Sequence, residues 1–130
     1  MELRVENGLL LAKLVLEYKG TRLELDNVLV DTGCSVTIFD TDLMAEIDIY
    51  IDYINGIPIT MYGIGGKGEV CNQQIVNDLF IDGQLLNNFP LQLGITKDSY
   101  GFDGFIGLDF MLEINMIMDF SSLGISYKNL

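Results

Sequence analysis

The stretch Val28-Leu29-Val30-Asp31-Thr32-Gly33-Cys34-Ser35-Val36-Thr37-Ile38-Phe39 decides how this chain is read. Three apolar residues open it, as in a buried strand, and they stop at a carboxylate, a hydroxyl and a glycine. Glycine lets the backbone turn sharply and bring an N–H toward the carboxylate oxygens. An Asp so placed is partly dehydrated and held by donors, which makes Asp31 a candidate functional carboxylate. The same triplet also serves as an ordinary β-turn closed by an Asx hydrogen bond. On these residues alone both readings stand.

Upstream, residues 9–18 are Leu-rich with Val and Tyr over strand length, Lys19-Gly20 signals a turn, and residues 21–26 alternate polar and apolar. Together they predict a β-hairpin, followed by the short apolar run Asn27 to Val30. Downstream, Asp40 is a good N-cap for a short helix from Thr41 to about Ile47. Residues 47–54 alternate as a strand or an extended connection would. Ile57 to Tyr62 predicts a strand. Four glycines follow within Gly63-Ile64-Gly65-Gly66-Lys67-Gly68, and a strand restarts at Glu69-Val70-Cys71, so a bendable hairpin tip is expected. Val76 to Ile81, Leu91 to Ile95 and Phe105-Ile106 read as further strands. Asp109 is expected to cap a second helix near Phe110 to Glu113, and Met116 to Phe120 with Ile125 to Tyr127 as a closing hairpin. Short strands with turn signals between them predict a mainly β fold, a small closed barrel or folded sheet with one or two short helices. The 130 residues fit one domain, taken as residues 1–130.

Composition removes whole classes of function. Seven Lys and Arg stand against nineteen Asp and Glu, a net charge of −12 at pH 7. Nucleic-acid backbones and anionic membranes repel such a chain, and neither is expected as a partner. The absence of His eliminates Ser-His-Asp and Cys-His catalysis and His-based metal sites. Cys34 and Cys71 form no CxxC pair and read as two free thiols of a reducing compartment. The N-terminal residues lack the pattern of a signal peptide, no apolar run reaches membrane-spanning length, and a cytoplasmic location is expected. The acidic residues Asp40, Asp42, Asp48 and Asp52 match no EF-hand spacing, so no metal is expected. The glycine-rich stretch lacks phosphate-loop spacing, and no cofactor is expected.

Two apolar residues, Asp-Thr-Gly, a small residue, Ser, one variable residue and Thr: this order resembles the active-site loop of retropepsin-like aspartic proteases. Two further segments fall in the order of that family. Residues Tyr62 to Gly68 look like its glycine-rich flap hairpin, and Gly104-Phe105-Ile106-Gly107-Leu108-Asp109-Phe110 like its later apolar-Ile-Gly segment. With one Asp-Thr-Gly rather than two, the resemblance implies the single-lobe type, a homodimer with Asp31 of each copy at the two-fold axis. It implies an aspartic endopeptidase acting on polypeptides. Asp31 is then the catalytic carboxylate, Thr32 the hydroxyl that bonds the opposite subunit's loop, and Gly33 a backbone acceptor for substrate. Tyr62, Gly63, Ile64, Gly65 and Gly66 close over the peptide, and Ile106 lines the pocket with Leu29, Ile38 and Ile64. A non-catalytic peptide-binding module on the same fold is the alternative.

The chain departs from the viral members, which place an acidic residue two positions after the Gly and pair it with an Arg after the later Ile-Gly. Ser35 and Leu108 occupy those positions, so both halves of the ion pair are missing together and no lone charge is buried. The pattern is closer to the cellular and bacterial members. Cys34 stands where Ala or Ser is usual and reads as a small buried filler.

Overall fold

Turns at Asn7-Gly8 and Lys19-Gly20 fold the N-terminal strands β1 (Glu2–Glu6), β2 (Leu9–Tyr18) and β3 (Thr21–Val30) into an antiparallel meander. The computed structural model that shows this describes residues 1–62, 66 and 68–128. Both turns have positive φ at each central residue (51° and 76°, then 49° and 83°), the geometry that matches the twist of paired strands. The apolar run after Asp26 does not begin a new strand, because β3 continues unbroken. Where its register with β2 slips, the Asp103 carboxylate takes the amides of Asp26 and Asn27 at 3.2 and 3.1 Å.

The remaining strands are β4 (Ile38–Asp40), β5 (Ile57–Tyr62), β6 (Gly68–Val76), β7 (Leu79–Ile81), β8 (Gln84–Leu86), β9 (Phe89–Gly94), β10 (Gly104–Ile106), β11 (Met116–Asp119) and β12 (Gly124–Tyr127). The expected strand over residues 76–81 is two strands. A turn at Asn77-Asp78, with Asp78 at φ 58°, separates them, and side chains of Asn77 and Asn87 accept the amides of Asn88 and Asp78. The Asp82-Gly83 turn then makes β7 and β8 a hairpin.

Strand order in the large sheet is β5-β6-β9-β4-β10-β3-β2-β7-β8, with β1 added on β2. Among the described residues no ladder joins β5 to β8, so the sheet is folded rather than closed into a barrel. Its ends stay apart while its apolar faces share one core, in which Leu14, Leu16, Phe39, Leu91 and Phe110 are all at most 2% exposed. Most neighbours are antiparallel, but β10 runs parallel to β3 and β4 parallel to β9. Thus β10 separates β3 from β4, which follow each other in sequence. The segment between them, residues 31–37, must cross the end of β10.

Three short helices, rather than one or two, lie among the described residues: α1 (Thr41–Ala45), α2 (Lys97–Tyr100) and α3 (Leu108–Glu113). Asp40 caps α1 as expected, accepting from the Leu43 amide at 3.4 Å. It is 5% exposed and also accepts the amides of Thr96 and Lys97, both at 3.0 Å, so one buried carboxylate starts two helices. Gly107, not Asp109, is the N-cap of α3; Asp109 lies in the first turn. Of the two readings for residues 47–54 the extended connection holds: turns and extended chain, anchored by the buried Ile47 and Ile49. β11 and β12 pair with each other within the chain, and Tyr127 packs edge-on against Phe110 with ring centroids 6.5 Å apart.

Candidate active site

Asp31 is the first residue beyond β3. Its amide donates to the Ile106 carbonyl of β10 at 3.0 Å, continuing the parallel ladder by one bond. Its carboxylate accepts from the Gly33 amide at 2.8 Å, and the Cys34 amide donates to its carbonyl at 3.1 Å. The Asx turn offered as the bland reading is therefore present, and it orients the carboxylate without burying it. Thr32 and Gly33 are exposed at the turn, and the Thr32 side chain makes no hydrogen bond to another described residue.

The rest of the loop is stapled across β10. The Leu108 amide donates to the Cys34 carbonyl at 2.8 Å and the Asp109 amide to the Ser35 carbonyl at 3.3 Å. The Thr37 hydroxyl accepts from the Gly107 amide at 3.1 Å and donates to Asp109 Oδ1 at 2.7 Å. The backbones touch at Gly107: a Cβ there would lie 2.3 Å from the Val36 carbonyl oxygen. That crossing requires glycine, and it holds the Asp31 turn against a rigid strand end.

Asp31 faces a cleft of about 540 Å³. Cys34 and Ser35 line it from the same loop, Met61 and Tyr62 from β5, Glu69, Val70 and Cys71 from β6, and Ile95 from the end of β9. Tyr100, Phe102 and Phe105 form an aromatic cluster on it, with Tyr100 and Phe102 edge-on to Phe105 at 6.1 and 5.6 Å. The charged side chains lining it among the described residues, Asp31 and Glu69, are both acidic. Burial pushes both thiols up. The charges of Asp31 and Asp109 add to this at Cys34, and that of Glu69 adds at Cys71.

No family model matches the chain, and no curated protein matches it in sequence. Solved structures do. The retroviral protease-like domain of Ddi1 from Leishmania major aligns over 92% of this chain and 90% of its own, with TM-score 0.52 and 12% identity. A retropepsin-like aspartic protease from Rickettsia conorii aligns over 91% and 90%, with TM-score 0.57 and 14% identity.

The chain has the retropepsin-like fold. At such identities the likeness is one of fold, and the chemistry has to be argued from residues. Within this retropepsin-like fold the structure brings Asp31, Gly33, Tyr62 and Ile38 to one cleft. Gly63, Ile64, Gly65 and Lys67 lie outside the described residues. Ile106 does not reach the cleft: it is 0% exposed in the core, and its neighbour Phe105 lines the cleft instead. Alternation along β10 decides this, since successive side chains point to opposite faces. Leu29 likewise is not among the lining residues. The reading of residues alone missed Tyr100 and Phe102, whose neighbourhood depends on α2, and missed Thr37 and Asp109 as the staple of the loop. No metal-binding group of three or more ligands occurs among the described residues.

Proposed function

We propose that this chain is an aspartic endopeptidase that works as a homodimer. The observation that carries the reading is Asp31 itself: a carboxylate oriented by its own turn, pinned across β10 and facing an open cleft in a retropepsin-like fold. One carboxylate is half of the machinery. In the dimer the two Asp31 carboxylates lie close together, and like charges at that distance share one proton, as in aspartic proteases generally. The ionised member takes a proton from a bound water while the protonated member polarises the peptide carbonyl. Water attacks, and no covalent enzyme intermediate forms.

The other residues take supporting roles in this scheme. The exposed Thr32 hydroxyl bonds to the partner's loop. The Gly33 carbonyl accepts a substrate amide. The β5–β6 pair, with Tyr62 at the end of β5, closes as a flap over the peptide and excludes water. The apolar side chains exposed on α3 and β11, Leu108, Leu112 and Ile117, are covered by the second copy. Leu108 follows Gly107 directly and its amide is bonded to the Asp31 loop, so this surface adjoins the site.

A diverse peptide pool incubated between about pH 4 and pH 7 and read by mass spectrometry tests the proposal. Cuts are expected from the wild type, should disappear in Asp31→Asn, and should fade on dilution below the dimer constant. A folded dimer that binds peptides without cutting them would point to a peptide-binding module. A strict monomer at all concentrations would sink the mechanism.

A further inference from the structure

Away from Asp31, residues 50–57, a loop running into the first residue of β5, are held firmly yet present apolar side chains to solvent. The Asp52 carboxylate accepts the amides of Ile54 and Asn55, both at 3.0 Å, and the Asp52 carbonyl accepts that of Gly56 at 2.9 Å. Gln74 of β6 clamps the loop from beneath. Its Oε1 accepts the Asp52 amide at 2.9 Å and its Nε2 donates to the Tyr50 carbonyl at 2.7 Å. Gly56 lies so close to the Asn72 side chain that a Cβ there would be 2.5 Å from Nδ2. On this fixed frame Tyr53 is 88% and Ile54 91% exposed, with Ile57 at 56% beside them and Ile75 of β6 at 58%.

A second cavity of about 460 Å³ adjoins the loop at Tyr50 and Asp52 and is lined from β6 by Gln74 and Ile75. Among the described residues it shares no lining residue with the Asp31 cleft. Among the described residues Asp48, Asp52 and Asp78 border it against one cation, Lys19. The Lys19 ammonium sits 5.1 Å from the Tyr18 ring centroid, so an aromatic face at this rim already receives a cation. Large apolar side chains left in water on a preformed loop mark an interaction surface, because little ordering remains to oppose binding. The acidic border sets the sign of the partner.

We infer that the 50–57 loop and the adjoining cavity are a docking surface for a polypeptide segment carrying Lys or Arg among bulky apolar side chains. Tyr53 and Ile54 supply the apolar contact, and Asp48 and Asp78 meet the cations. The surface stands whether or not Asp31 cuts peptides.

The test uses the full chain with Asp31→Asn, so that no probe is consumed. The probe is a fluorescein-labelled twelve-residue peptide alternating leucine and lysine, with its leucine–glutamate counterpart as control. Anisotropy is measured in 150 mM salt, and contacts are mapped by amide chemical shifts. The lysine peptide should bind and the glutamate peptide should not, with shifts at residues 50–57 and 75–78. Tyr53→Ser with Ile54→Ser should weaken binding about tenfold or more, as loss of two central contacts does. Asp48→Asn with Asp78→Asn should weaken it severalfold and flatten its salt dependence. Leu85→Ser, at a 51% exposed leucine on β8, should change nothing. Equal loss in Leu85→Ser, or shifts confined to the Asp31 cleft, would overturn the inference. So would self-association of the parent chain that the Tyr53/Ile54 double variant abolishes, since the loop would then belong to a second copy.

Discussion

Cys34 sits three residues after Asp31 and lines the same cleft. Expected from its sequence position as a small filler, it is partly buried, with its thiol donating to the Val36 carbonyl at 3.0 Å. Burial and the nearby Asp31 and Asp109 carboxylates all favour the neutral thiol. Its reaction with iodoacetamide should therefore be slower at neutral pH than that of a free cysteine, and should rise with pH through a midpoint above the usual thiol range. Because Asp31 contributes to the shift, Asp31→Asn should move that midpoint down. Cys71, whose shift comes from burial, Glu69 and Cys34, should move less. Alkylation followed by mass spectrometry across pH 7 to 10 reads both thiols. An unchanged Cys34 midpoint in Asp31→Asn would mean that the thiol does not sense the carboxylate.

Among the elements, the β11–β12 hairpin is tied to the β7–β8 turn by a contact that the sequence does not advertise. The Tyr127 hydroxyl donates to Asp82 Oδ2 at 2.5 Å, and the Met1 ammonium meets Asp82 Oδ1 at 2.6 Å. Burial, then Asp82, hold the Tyr127 hydroxyl protonated well above the ordinary tyrosine range. The folded state therefore keeps a proton that the unfolded chain releases near pH 10. The stability this adds is fully present below that pH and declines as pH rises above it. Tyr127→Phe should cost about 1.5–3 kcal/mol near neutral pH, the range for a hydrogen bond to a charged acceptor. The gap from wild type should narrow by pH 10.5. Urea unfolding at the two pH values measures it, and a gap independent of pH would show that the hydroxyl is not held as described.

At the scale of the molecule, the proposed dimer brings together two chains of net charge −12 each. Their repulsion opposes association, and salt screens it. Dimerisation should therefore tighten as ionic strength rises from about 20 to 500 mM, opposite to an interface held by ion pairs. Leu112 is 68% exposed, so Leu112→Lys should weaken the dimer at least tenfold while leaving the thermal midpoint of the dilute monomer nearly unchanged. Analytical ultracentrifugation across salt concentrations tests both. A dimer that weakens with salt, or ignores Leu112→Lys, would place the interface elsewhere.

Much of this protein was legible from residues next to one another. The Lys19-Gly20 turn, the Asp40 cap and the closing hairpin rest on local backbone preferences, and so does the orientation of Asp31 by its own Gly33. The Asn7-Gly8 and Asp82-Gly83 turns carried equally strong signals for β1 and β8, which the alternation of side chains alone did not reveal. What sequence could not decide was every contact made at long range. Asp40 accepts the Thr96 amide at the start of α2 across more than fifty positions. Thr37 bonds Asp109 across seventy-two. Phe105 rather than Ile106 faces the cleft because the face a strand buries depends on which strands flank it. The insertion of β10 between β3 and β4 underlies the last two, since it carries the Asp31 loop over Gly107. Local pattern determined which residues could turn, cap and carry a carboxylate. Only the tertiary structure decided what they meet, because pairing between distant strands is a property of the whole sheet.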